Sequence, residues 1–355
     1  MSYTSSTAED RTIANPDPLP IAGDDLMPPV EPPSAGFIIQ LFVVPAVIVL
    51  LIVAVWLTVS WLVHRTRPQD LIQGLEGSGV ARWQKASELA DILRNERFAD
   101  FKRDAAAASK LATNLKREIE AADNEHGMDG QSVMLRFFLC RALGEFEVSE
   151  GMDALLLAAQ TNRDPAEQLV RRGAVQAIAM RAFKLREMGE AQLLDDPKLV
   201  DALLKLSEDE DVLVRSETAY ALGRLGTPAC VQRLEVMIGD PYADTRYNAA
   251  VALAHAGNAA AVEMLAEMLE PVPLASALEE PANQGQVRKR ATIVHSAMEA
   301  AKELAKKNPT ANLTPITTAL QSLAKADDKT LEEALIPRGA VSAAKRTLES
   351  LPDRD

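Results

Sequence analysis

The residues best suited to chemistry in this 355-residue chain are a series of arginines: Arg136, Arg171, Arg215, Arg246 and Arg290. Each is followed by a small or aliphatic residue four and seven positions later, on one face of its own helix, and the series is a candidate ligand-binding ladder. Ser207-Glu-Asp-Glu-Asp211 offers oxygens to a cation, but it lacks the glycine and the spaced ligands of a calcium loop. Acids at a helix start are favoured by the macrodipole with no metal present. His64, His126, His255 and His295 are scattered, and none has a second His or Cys at metal spacing or a nucleophile motif beside it. Cys140 and Cys230 lie far apart inside apolar patterns and read as buried small hydrophobes. There is no glycine-rich phosphate loop. We therefore expect no catalytic residue, no cofactor and no metal site. Two basic clusters remain, Arg181, Lys184 and Arg186, and Arg288, Lys289 and Arg290. They are candidates to hold a domain near anionic lipid, and a solvated helix face is the plainer expectation.

The elements that carry these residues repeat. Asp209, Arg215, Ala219, Leu222 and Gly226 recur as Asp240, Arg246, Ala250, Leu253 and Gly257, each after 31 residues. A fixed period of this size marks stacked supersecondary units. The register extends back to Arg136 with Cys140, Leu143 and Gly144, and to Arg171 with Val175 and Ile178. Forward it reaches Arg290 with Val294 and Ala297, and a degraded last unit spans Asn312–Ala326 and Arg338–Leu351. Unequal steps imply insertions at Lys184–Pro197 and Glu270–Gly285. Partner helices are expected at Gly151–Gln160, Pro197–Ser207, Pro228–Ile238, Asn258–Leu269 and Asn312–Ala326, giving about five pairs. Gly226 and Gly257 suit helix C-caps with positive φ, and Pro228 and Pro241 suit first-turn positions.

The pattern Asp-x5-Arg-x3-Ala-x2-Leu-Gly-x-Leu-Gly resembles the short HEAT-like repeat of the phycobilisome lyase family. The resemblance is strongest over Asp209–Gly257 and implies an all-α solenoid of helix pairs. It also implies that Asp209, Arg215, Leu222, Asp240, Arg246 and Leu253 are structural positions, the Asp and Arg linking neighbouring units. At the earlier Asp sites stand Gly130, Pro165 and Gln284. If the resemblance extended to activity, the chain would be a chromophore-lyase-like protein handling a bilin or its acceptor.

Ahead of the repeats, residues 1–36 are rich in proline and acids, with a net charge of −5, and lack an apolar period; we expect a disordered tail. Phe37–Val63 holds 27 residues without a charge, 19 of them Leu, Ile, Val or Phe, and reads as a single transmembrane helix. Trp56 and Trp61 suit an aromatic belt at its basic end. Arg65 and Arg67 after the segment, against an acidic tail before it, place the C-terminal domain in the cytoplasm by the positive-inside tendency. Residues 64–79 read as a juxtamembrane linker, 80–127 as a helical hairpin cap and 128–355 as the HEAT-like solenoid. With 51 acids against 38 basic residues, a net charge of −13 argues against nucleic acid as a partner. The expected partners are the lipid bilayer, through Phe37–Val63, and an unidentified protein bound to the solenoid, with no small molecule. The chain thus reads as a membrane-anchored scaffold without catalysis of its own, or a structural subunit of a larger membrane complex.

Overall fold

The computed structural model describes residues 34–63, 67–77, 81–122, 130–190, 194, 196–278 and 284–352. Most of the acidic tail, up to residue 33, and Arg65 lie outside the described residues. The chain divides into two compact units, residues 1–65 and 66–355.

The described part of the first unit is one helix, α1 (Ala35–Val63), continuous through Pro45. Within it, Ile39–Val59 is long and apolar enough to cross a membrane, and none of that stretch is buried.

The second unit contains no strand among the described residues and is built from helix pairs. In chain order these are α2 (Pro68–Gly74) with α3 (Arg82–Leu93) and, after the short α4 (Ala99–Lys102), α5 (Ala105–Ala122) with α6 (Gly130–Gly144). Next come α7 (Met152–Ala159) with α8 (Gln168–Glu187), and α9 (Pro197–Leu206) with α10 (Val212–Leu225). Then α11 (Pro228–Met237) pairs with α12 (Ala243–His255), and α13 (Val262–Leu269) pairs with α15 (Gln284–Lys307) across the short α14 (Ala275–Leu278). Last, α16 (Thr314–Lys325) pairs with α18 (Gly339–Ser350) across α17 (Asp328–Glu333). The second member of each pair packs on its counterpart in the next pair, so α3, α6, α8, α10, α12, α15 and α18 form one layer. The first members form the other layer, with α5 against α7, α7 against α9, α9 against α11 and α13 against α16. This is an all-α solenoid of HEAT-like pairs.

There are more pairs than the five expected, because the N-terminal part joins the array. The hairpin expected over 80–127 does not form a separate cap. Its two helices belong to opposite layers: α3 stacks on α6, and α5 on α7. The partner of α3 is α2, inside the stretch expected to be a linker, where Leu71, Ile72 and Leu75 are buried. Three apolar residues among glycines are too few to show a period, yet they suffice to cover one helix.

The sequence dictates where several helices begin and end. Asp196, Asp211 and Thr227 cap α9, α10 and α11 by accepting hydrogen bonds from free backbone N–H groups. Pro228 opens α11, whereas Pro241 stands just ahead of Tyr242, the N-cap of α12. Gly226 closes α10 at φ 60°, and Gly257 follows α12 at φ 77°, a region that favours glycine. The core between layers is leucine and alanine, and the Leu-Gly of the motif sets how closely helices approach. A Cβ on Gly223 would lie 2.5 Å from Ala252 Cβ on α12, and one on Gly144 would lie 2.8 Å from Ala177 Cα on α8. Both neighbours are fixed to backbone, so neither can move aside. We predict that Gly223→Val lowers stability by about 1–3 kcal/mol, read as an earlier urea midpoint, while the exposed Val236→Ala leaves it nearly unchanged.

Candidate functional site

The arginine series is assembled into a relay along one edge of the first layer. Arg136 donates from Nη1 to Glu167 Oε1 at 2.6 Å, both side chains fully buried. Arg171 Nη2 reaches Asp209 Oδ1 at 3.1 Å, and its Nη1 donates to Thr161 O. Arg215 grips Asp240 with both prongs, Nε to Oδ2 at 2.8 Å and Nη2 to Oδ1 at 3.1 Å. Its Nη1 meanwhile donates to the carbonyls of Asp209 and Glu210. Arg246 holds the carbonyls of Asp240 and Pro241, and Arg290 those of Met268 and Glu270. Arg171, Arg215, Arg246 and Arg290 thus tie down the turn of their own pair, and Arg136, Arg171 and Arg215 reach the carboxylate of the next. Leu222 and Leu253, seven residues after Arg215 and Arg246, are fully buried.

The carboxylates take their state from this environment. Burial alone pushes Glu167 up, but hydrogen bonds from Arg163 and Arg136 outweigh it and hold the group below the usual carboxylate range. Asp240 is raised by burial and lowered further by Arg215 and the Tyr242 backbone N–H, again ending below its ordinary value. Glu167 is the position that sequence reasoning missed. The register places an acid at Pro165, and the chain supplies one two residues later; inspecting the flanking turn would have found it.

The remaining candidates also serve the fold. Within Ser207–Asp211, Asp209 accepts from Arg171 and from the Asp211 backbone, and Asp211 caps α10. Ser207 and Glu208 engage Arg233 on α11. The basic clusters are only in part the solvated faces expected, with Arg186 and Arg288 exposed and the other members covered or partly covered. Arg181 is fully buried, with Nη1 donating to Glu150 O at 2.9 Å and with Nε and Nη2 facing no acceptor among the described residues. Burial brings its pKa down to about 10. Lys184 donates to Glu145 O and pairs with its carboxylate, and Arg186 donates to Leu225 O, so both cover the C-terminal ends of neighbouring helices. Arg290 is buried, and Lys289 pairs with Asp244 at 2.9 Å. Sequence pattern reads these as surface charges because it sees composition and not the neighbouring helix that covers them. Cys140 and Cys230 are both buried free thiols, and burial pushes the Cys140 thiol far above its ordinary value. Among the described residues no group of three or more His, Cys, Asp or Glu could hold a metal ion.

Of the membrane-interface candidates, Trp56 and Arg67 are exposed. The side chain of Trp61, like Arg65, is outside what the structure describes. Arg82, farther along the chain, is bound to Glu118 at 2.5 Å and to Leu75 O.

With the charged recurrences engaged internally, a groove in the layer of α6, α8 and α10 is open. It has a volume of about 260 Å³ and is bordered by Arg94, Arg141, Gln176, Met180, Glu217 and Tyr220.

Sequence comparison agrees with this architecture. Residues 180–244 and 200–280 each match the model of the HEAT repeats family. The chain is a HEAT-like repeat protein. No curated protein matches it significantly. Among solved structures it is similar to the complex of CpcE and CpcF of phycocyanin lyase from Nostoc sp. PCC7120, with 18% identity over 81% of this chain and 96% of that one, at a TM-score of 0.43. Human deoxyhypusine hydroxylase is 17% identical, covering 75% and 96%, at a TM-score of 0.26. A designed armadillo repeat protein is 15% identical, covering 80% and 99%, at a TM-score of 0.32. Scores this low carry no argument about activity.

Glu167→Gln removes the charge facing two guanidiniums and should cost about 3–5 kcal/mol, measured by urea unfolding at neutral pH. Because Glu167 and Asp240 have folded pKa values below their unfolded ones, their stabilisation is complete above about pH 4 and is lost as pH falls through the folded values. The wild type should therefore lose more stability than Glu167→Gln on titration into that acid range. Separately, neither Cys140 nor Cys230 should react with a maleimide in the native protein at neutral pH, and both should react once it is denatured.

Proposed function

We propose that this chain is a membrane-anchored scaffold whose repeat domain recruits a protein partner and performs no reaction itself. The observation that carries the reading is the division of labour among side chains. The recurrent charged residues are engaged within the solenoid, while its helices leave Met180, Phe183, Tyr220 and Val236 exposed. Exposed aromatic and methionine side chains on a rigid helical array suit recognition of another protein. The uncovered apolar stretch Ile39–Val59 supports a membrane anchor. Arg65 and Arg67 beyond it, against the acidic tail before it, support a cytoplasmic repeat domain.

Two measurements test this reading. In alkaline-washed membranes the full chain should stay in the pellet, and a chain starting at residue 67 should be released. Crosslinking purification in mild detergent should then recover one stoichiometric partner with both forms. A partner recovered only with α1 present would move the interface to the membrane helix. No partner with either form would sink the scaffold reading, and a covalently pigmented preparation would favour lyase-type activity instead.

A further inference from the structure

The open groove lies where α6, α8 and α10 stack, with Arg94 at the end of α3 closing one side. Its floor is shallow because Gly144 and Ala177 bring α6 and α8 into close contact. Met180 is 42% exposed and Tyr220 39%, and Phe183 continues the apolar strip along α8. Arg224 lies over the rings of Phe183 and Tyr220, at 4.8 and 4.7 Å from their centroids, and donates to the Tyr220 hydroxyl. Arg141 stands 5.9 and 5.8 Å from the Phe137 and Phe138 rings.

The charges here depart from those of the rest of the molecule. The chain carries thirteen more acids than basic residues, yet none of Arg94, Arg141 and Arg224 has a carboxylate within ion-pair distance among the described residues. The nearby acids are already occupied. Glu145 is paired with Lys184 at 2.7 Å, and Glu217 accepts from Gln176 at 2.6 Å. Burial also pushes the Glu217 carboxyl up, which favours its neutral form. Two guanidiniums beside aromatic rings, Arg141 and Arg224, with Arg94 near them and exposed Met and Tyr carbons between, match the composition of protein interface hot spots.

We propose that this groove docks an acidic segment of a partner protein, its carboxylates on Arg94, Arg141 and Arg224 and an apolar side chain against Met180 and Tyr220. The proposal rests on the scaffold reading and deepens it by naming the surface and the partner's chemistry. A protein segment is favoured over a polyanion or a charged membrane because the chain's net charge of −13 opposes extended negative surfaces. A short segment meets only the local positive patch.

The test uses the full chain in phosphatidylcholine nanodiscs and a fluorescein-labelled peptide alternating Glu with Leu and Phe. Fluorescence anisotropy should show binding that a peptide with Lys for Glu does not share. Arg141→Glu and Arg224→Glu should each weaken it by about tenfold or more. Arg338→Glu, at an exposed residue paired with Asp328 in the last helix pair, should leave it unchanged. Circular dichroism checks folding, and Arg94→Glu, at an exposed side chain, gives the same readout should the other variants unfold. Absence of peptide binding, or equal loss in the Arg338 variant, overturns the proposal. Binding only to phosphatidylserine vesicles, lost in the same variants, also overturns it and assigns the patch to lipid. A crosslinked partner retained by Arg94→Glu and Arg141→Glu would refute the groove while leaving the scaffold reading intact.

Discussion

The fold depends on a half-buried arginine that serves two masters. A helix pair of this size cannot bury its apolar face alone, so pairs must stack, and stacking encloses the turns between helices with their unpaired carbonyls. Arg215 resolves both demands by donating to the carbonyls of Asp209 and Glu210 in its own pair and to both oxygens of Asp240 in the next. Taking such a charge partly out of water costs free energy unless it is paired, and here the pairing itself is the link between units. The same logic holds at Arg171, with Thr161 O and Asp209 as acceptors, and Arg136 makes the link to the next pair through Glu167.

The relay changes character toward the C-terminus. Arg246 approaches Glu267 only at 3.8 Å and relies on the carbonyls of its own turn. Arg290, fully buried, gathers the carbonyls of Met268, Glu270 and Val272 at the start of the long insertion. A guanidinium without a carboxylate can still be satisfied by several carbonyls, and this lets the array absorb an insertion without breaking the stack. Basic residues at the far ends of helices complete the scheme: Lys184, Arg186 and Lys307 each donate to the last carbonyls of an adjacent helix. Charge in this protein mostly stitches backbone, and the first-layer groove stands out because its arginines are not used in that way.

That division of charge has a consequence for function. Residues committed to the relay cannot be offered to a ligand without loosening the stack, so recognition has to come from side chains outside it. Met180, Phe183 and Tyr220 meet that requirement, because they project from helices whose opposite faces are packed.

Much of the architecture was legible in the residues alone. A period of 31, the Asp and Arg six residues apart, the Leu-Gly step and the positive-φ glycines are local signals, because the α-helix repeats every few residues and its ends need particular caps. The apolar length of residues 37–63 is likewise a sum over composition. Tertiary structure decided the rest. It chose Glu167 in place of the absent acid at Pro165, buried Arg181 and Arg290 in clusters that look solvated by composition, and enlisted Leu71, Ile72 and Leu75 as a partner for α3. It also drew the helices of residues 82–122 into opposite layers. Each of these outcomes turns on which helix lies against which, and that depends on loop length and stacking between units, quantities that no window of a few residues contains.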